Sequence, residues 1–405
     1  MPDTETFARA ESDRRLAAFR NHLPRIAPQA RGAMIFSRLN IFYFTGTWAN
    51  GLLWIPLDGR PILFCRKAAE RARLESPLSA IVEFVSYSEI PGLAKESGSP
   101  LAGPVAAEMT GLSWSLATLL QNRMPDIVFL PGDRAIGLAR AVKTDFEIAI
   151  MREAGRRHHQ AKYEELPRHI APGMTEYDIA VALWQVFFEL GHQGMMRMQA
   201  PGEEVFLGHV SAGISGIHPS VFNGPVGLRG VHPAVPFMGS RDKIWKPGRP
   251  LTVDCGFGLE GYHTDKTQVY WAAGSRIPDQ ARRAQEFCQR IQAELASELK
   301  PGAIPEELFS RYWELSRKEG WEEGFMGLGG NKVRFLGHGI GLTVDEHPVV
   351  ARRFAAPLEA NMVLALEPKL GIPGLGMVGV ENTFLVTDVG GECLTGDVFD
   401  PVMVG

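Results

Sequence analysis

The sequence predicts an α+β chain of two domains, and three observations carry that prediction. Its 405 residues are enough for two hydrophobic cores. From Arg31 onward, short runs rich in β-branched and aromatic residues alternate with helical stretches, the pattern of a mixed α/β domain. Near Thr144 a long helical stretch opens a second region of strands and helices. The boundary is placed near residue 140, giving domains 1–140 and 141–405. No Ser- or Pro-rich linker separates them, so close packing is expected.

In the first domain, residues 1–27 carry a charged helical stretch in which LAAFRNHL has an amphipathic period. The runs GAMIFSR, FYFTG, GLLWIPLD, PILFCR and IVEFVSY read as strands, with a helix at RKAAERARLES. Asp-Gly in LDGRP is a hairpin signal between two of them. A further strand and helix follow over Ile127–Arg140. In the second domain Thr144 and Glu147 have the spacing of a capping box. Two segments, APGMTEYDIAVALWQVFFELG and KPGAIPEELFSRYWELSRKEG, echo each other as Pro-Gly turns leading into amphipathic helices.

Composition narrows the class. Apolar content of 45% and charge of 22% are ordinary for a globular protein, and a net charge of −4 gives no signal for nucleic acid or an anionic membrane. The cysteines Cys65, Cys255, Cys288 and Cys393 are far apart and form no CxxC pair, against a disulfide framework or a structural zinc site. The N-terminus is polar, and the apolar run IFYFTGTWANGLLWIPL is broken by Thr, Asn and Gly, reading as strand, loop, strand. A cytoplasmic location is expected.

Five ionisable residues then stand out, because each lies in an apolar, strand-like segment. They are Asp254 in LTVDCG, Asp265 in GYHTDKTQVYW, His338 in RFLGHGIGL, Glu367 in MVLALEP and Glu381 in MVGVENTFLV. Burying carboxylates without counter-charge is expensive. A shared cation removes that cost and keeps neighbouring carboxylates ionised. Asp254 and Asp265 sit on two strands joined by a Gly-rich turn, where a hairpin brings them together. Four carboxylates and one imidazole with no thiolate favour Mn, Fe, Co or Zn. Five ligands exceed one ordinary catalytic zinc, so two divalent metal ions are expected.

The order Asp, Asp, His, Glu, Glu, with D-x10-D followed by GHGIGL, EP and VEN, resembles the pita-bread metallopeptidases: methionine aminopeptidase, aminopeptidase P, prolidase and creatinase. NIFYFTGTWANGLLWIPLDGRPILFCR is similar to the creatinase-type N-terminal domain, and VKTDFEIAIMREA to the helix that opens the catalytic domain. The resemblance implies a creatinase-like α/β domain followed by a pita-bread catalytic domain. It implies that Asp254 chelates one metal, that Asp265 and Glu381 bridge both, and that His338 and Glu367 hold the other. It also implies a metal-bridging hydroxide that attacks a scissile carbonyl, with Glu367 as proton shuttle. The implied substrate is a short proline-containing peptide cleaved at an Xaa-Pro bond, as by aminopeptidase P or prolidase. A homodimer is implied too, with Trp48 able to reach the partner's site.

Three departures from the family pattern concern substrate handling. Asp345 stands seven residues after His338, where prolidases show a second His, and His347 follows two later. Gly379 stands where Arg usually precedes the last Glu, and Asn382 follows Glu381 where Asp is common. An insertion, SGIHPSVFNGPVGLRGVHPAVP, offers His232 or His218 as the substrate-facing imidazole, with His232 favoured. A carboxylate at Asp345 also suits a lyase or C–N hydrolase on the same metal site. A catalytically silent binding relative is the remaining alternative.

Overall fold

The computed structural model describes residues 7–200, 204–206 and 208–405. Residues 1–6 of the N-terminal helical expectation lie outside them. The chain divides into two compact units, Met1–Arg140 and Ala141–Gly405.

The first unit is built on a six-stranded mixed sheet in the order Ile81–Glu83, Ile62–Lys67, Asn50–Pro56, Gly32–Ile35, Val105–Ala107, Phe129–Pro131. The Asp-Gly signal marks a real hairpin, with Asn50–Pro56 antiparallel to Ile62–Lys67. The helix Arg9–Ile26 buries Leu16, Phe19 and Leu23, the period expected of one apolar face. One segment departs from expectation. FYFT is not a strand but the end of a helix, Arg38–Thr45. Local end chemistry outweighs the β-prone composition there. The Ser37 hydroxyl accepts the Asn40 N–H at the start, and Gly46 stops the helix in the left-handed region at φ 73.

The second unit holds two sheets. One has four strands in the order Val402–Val404, Tyr262–Ala272, Leu251–Leu259, Gly208–Ala212. The other has five, ordered Glu346–Ala351, Phe335–Gly339, Val363–Leu366, Asn382–Thr387, Gly390–Cys393. The sheets meet along one seam. The Thr267 N–H donates to the Glu381 carbonyl (3.1 Å), and the Asp265 N–H donates to the Thr383 hydroxyl (2.8 Å), which in turn donates to the Asp265 carbonyl (2.9 Å). The helix Asp145–His159 opens this unit with the expected capping box, Thr144 and Glu147 exchanging side-chain and backbone bonds. The echo segments are both helices, Glu176–Glu189 and Pro305–Lys318; the first is capped by Thr175 and the second starts on Pro305. No helix among the described residues is long and apolar enough to cross a membrane.

The core behind the four-stranded sheet contains two buried histidines. His158 stacks on Phe257 and meets Phe187 edge-on, while His192 packs against the same two rings. Among the described residues neither Nε2 atom has a hydrogen-bond partner. Burial holds His158 well below the usual imidazole range, and burial with the nearby His263 lowers His192 to about 4. An unfolded histidine titrates near 6.5. Between about pH 6.5 and 4 the unfolded chain therefore takes up protons that the fold refuses, so stability falls as pH is lowered through that window. His192 contributes up to about 1.4 kcal/mol per pH unit across it, and His158 acts in the same direction. The urea midpoint of this unit is expected to be lower at pH 5 than at pH 7, with a smaller drop in His192→Phe. An equal drop in the variant overturns this assignment.

Candidate metal centre

Asp254 and Asp265 stand on neighbouring antiparallel strands, Leu251–Leu259 and Tyr262–Ala272. The register pairs Asp254 with Thr267 and Gly256 with Asp265, so the two carboxylates lie diagonally on one face. Glu381 immediately precedes the strand Asn382–Thr387 on the facing sheet, and Glu367 immediately follows Val363–Leu366. The seam between the sheets thus gathers groups that are far apart in the chain. The Thr267 hydroxyl sits 2.7 Å from Asp254 Oδ1 and 3.1 Å from Glu381 Oε2, holding those two carboxylates in line.

His338 lies on the strand Phe335–Gly339. Its flanking glycines are steric requirements. A Cβ at Gly337 would lie 2.3 Å from the Ala365 carbonyl oxygen, and one at Gly339 would lie 2.2 Å from that of His347. The His338 Nδ1 is 3.1 Å from the Gly339 carbonyl oxygen. A carbonyl only accepts, so Nδ1 carries the proton and Nε2 keeps its lone pair. That Nε2 points at the carboxylates, 3.5 Å from Glu367 Oε1 and 3.8 Å from Glu381 Oε1. Fixing the tautomer through a backbone carbonyl is how a metal-binding imidazole is usually oriented.

The donor set fits a divalent ion. One ligand atom each from Asp265, His338 and Glu381 lies within 4.8 Å of the others. Burial and the neighbouring Asp254 raise Asp265 to about 6, and burial with Asp265 raises Glu381 well above the usual carboxylate range. These are groups whose ionised forms require a cation. The Cys255 thiol also lines the cavity, but burial pushes it up to about 12, so the donors remain oxygen and nitrogen.

One residue of the centre lies outside the set that the sequence pattern singles out. The Lys369 side chain is fully buried, and its Nζ lies 2.6 Å from Glu381 Oε2, 2.9 Å from Glu367 Oε2 and 3.2 Å from Asp254 Oδ2. Burial opposes charge on this lysine, but Asp254, Glu367 and Glu381 outweigh it and raise its pKa well above normal. For Asp254, burial also opposes ionisation, yet Lys369 and His209 hold it below the usual carboxylate range. The signal in the sequence is Lys369 itself, a cation two residues beyond Glu367 in the apolar run LALEPKLGI.

Two further lysines support the ligand strands from behind. Lys162 is buried and donates to the carbonyls of Cys255 (3.0 Å) and Lys266, which flank Asp254 and Asp265 in the chain. Lys266 Nζ donates to Asn382 Oδ1 (2.6 Å) and to the Thr395 carbonyl (3.1 Å). The Asn382 amide NH₂ donates to Gln292 Oε1 (2.9 Å). An amide at position 382, unlike a carboxylate, can accept from one neighbour and donate to the other.

The remaining sequence candidates are not among the residues that line the cavity. That wall comprises Met196, Met198, Val205, Gly208, His209, Phe222–Gly224, Asp254–Gly256, Asp265, His338, Val344, Glu367 and Glu381. His232 and His218 are not on it. His232 is exposed in the insertion, and its Nδ1 accepts the Ala234 N–H (3.1 Å). Besides His338, the imidazole on the wall is His209, which pairs with Asp254 in the sheet register. Its distance from Asp254 along the chain hides that pairing from sequence reasoning. Burial lowers the His209 pKa despite the nearby Asp254. Asp345 and His347 are also absent from the wall. Asp345 accepts the Gln199 N–H (2.5 Å), and burial raises its pKa. His347 lies at the start of the strand Glu346–Ala351, its ring 6.0 Å from that of Phe354.

Comparison with known proteins agrees with this architecture. The model of metallopeptidase family M24 matches residues 149–388, and that of the creatinase/prolidase N-terminal domain matches residues 15–142. The chain is 27% identical to a Xaa-Pro dipeptidase of Pyrococcus furiosus over 359 residues, covering 88% of this chain and 91% of that one. Among solved structures it resembles a Xaa-Pro dipeptidase from Bacillus anthracis, with a TM-score of 0.79 and 22% identity over 97% of this chain and 99% of that one. It also resembles an X-Pro aminopeptidase from Thermotoga maritima, with a TM-score of 0.74 and 22% identity over 96% and 99%. With a creatinase-type domain followed by a pita-bread domain that carries the buried acidic centre, the chain belongs to the metallopeptidase family M24.

Proposed function

We propose that the protein is a metal-dependent hydrolase of the Xaa-Pro bond in short peptides. The observation that carries the reading is the convergence of Asp265, His338 and Glu381, with Glu367 Oε1 3.5 Å from His338 Nε2, on the wall of one cavity. The family membership and the Xaa-Pro dipeptidase among the relatives support the substrate class. A divalent ion held there supplies a Lewis acid that activates water and polarises a carbonyl at neutral pH. Mn, Co, Fe and Zn all suit the donors.

The chain's own groups have separable tasks. Glu367, held by Lys369 at Oε2 and facing His338 through Oε1, is the carboxylate that would take up the water proton and return it to the leaving nitrogen. His209 faces the cavity and takes the role of donor to the developing oxyanion that the sequence suggests for His232. Met196, Met198 and Phe222 form an apolar, adaptable wall suited to a proline ring. Asp345, which motivates the lyase or C–N hydrolase alternative, is held by the Gln199 N–H and lies off the wall, so the peptidase reading is preferred. The four free cysteines suit a reducing cytoplasm, and the family likeness supports a homodimer.

Manganese-loaded protein incubated with Xaa-Pro dipeptides and Xaa-Pro-Xaa tripeptides is expected to release the N-terminal residue, and a chelator to stop it. Cleavage of dipeptides alone indicates the prolidase type, and cleavage of longer chains the aminopeptidase P type. No release from any member of the panel overturns the proposal.

A further inference from the structure

The ligand set suggests two ions, but the position of Lys369 does not fit a second one. Its ammonium contacts three carboxylate oxygens, one each from Asp254, Glu367 and Glu381. A cation bridging Asp254 and Glu381 Oε2 would have to share the space into which this Nζ points. Metal–oxygen distances are about 2 Å, so such an ion would sit against the ammonium, and two like charges in a dry site repel strongly. The donors left over are those of one site: Asp265, His338 Nε2, Glu381 Oε1 and Glu367 Oε1. Asp254 is not part of that converging group.

Lys369 is also built into place. It starts the strand Lys369–Ile372 and pairs with Gly379. Its carbonyl accepts the Met326 N–H (2.9 Å). The partner strand approaches so closely that a Cβ on Gly379 would lie 2.5 Å from the Pro368 carbonyl oxygen and 2.6 Å from Lys369 Cα; Gly379 is moreover at φ 136. Glycine at 379 and lysine at 369 are therefore two halves of one arrangement.

We propose that Lys369 is the resident second cation of this centre, and that the protein binds one divalent ion, at Asp265, His338, Glu381 and Glu367. The inference rests on the metal-binding part of the proposed function and is independent of the substrate. The full-length protein, stripped with chelator and dialysed to equilibrium against excess Mn²⁺, is expected to hold one manganese per chain by elemental analysis. Its low-temperature EPR spectrum should be that of an isolated Mn²⁺. Lys369→Met, which keeps the length of the stem and removes the charge, is expected to hold two, with the signal of an exchange-coupled pair. Two ions in the unmodified protein overturn the inference and leave the peptidase reading standing. A folded Lys369→Met that still holds one overturns it as well. No bound ion at all overturns both. Should Lys369→Met not fold, the count in the unmodified protein decides.

Discussion

His338→Ala is expected to lower the affinity for Mn²⁺ by more than about 100-fold, since loss of a mere outer partner of a ligand costs about 10–100-fold. His338 brings the nitrogen donor of the converging group, and its lone pair is aimed by the Gly339 carbonyl. Without it the ion faces carboxylates alone, two of which are already engaged by Lys369. Turnover of an Xaa-Pro peptide at limiting metal should fall in the same proportion. The fold should survive, because the strand Phe335–Gly339 keeps its backbone pairing with Val363–Leu366. Calorimetric titration with Mn²⁺ and a circular dichroism spectrum together check this. An unchanged affinity in a folded variant would remove His338 from the ligand set.

Lys143→Met is expected to give the largest loss of stability, of about 3–5 kcal/mol. Lys143 Nζ lies 3.1 Å from Glu346 Oε2, and the two side chains are 1% and 6% exposed. Glu346 Oε1 accepts the Thr343 N–H (2.9 Å), which ties down the turn between the His338 strand and the next. Removing the cation takes this counter-charge away from a buried carboxylate, and its desolvation is then no longer offset by the lysine. At about 2–4 °C per kcal/mol for a unit of this size, melting should drop by roughly 10 °C. The double replacement Lys143→Met with Glu346→Leu should recover most of the loss, because an apolar pair of similar volume has no charge to strand. A double variant as unstable as the single one would show that packing, not the ion pair, sets the cost.

Features written in contiguous residues are legible in the sequence alone. Thr144 and Glu147 cap a helix because both bonds span a single turn. Asp-Gly at residues 58 and 59 turns a hairpin because the geometry is local. The five candidate ligands stand out because an ionisable side chain in an apolar strand calls for a counter-charge wherever the strand folds. FYFT reads as a strand by composition and folds as a helix, because the caps Ser37 and Gly46 lie just beyond the ends of that helix and outweigh the run between them.

What only the tertiary structure decided depends on pairing between distant segments. His209 reaches the cavity through its register with Asp254 across two strands, while the more conspicuous His232 remains in the insertion. Lys369 enters the centre because the Lys369–Ile372 strand packs tightly on Gly379, an approach that no single segment encodes. The sequence by itself thus determined which groups need a cation. Strand register and the close approach at Gly379 decided that one such cation is a lysine, because electrostatic partners are set by distance in space and not by distance along the chain.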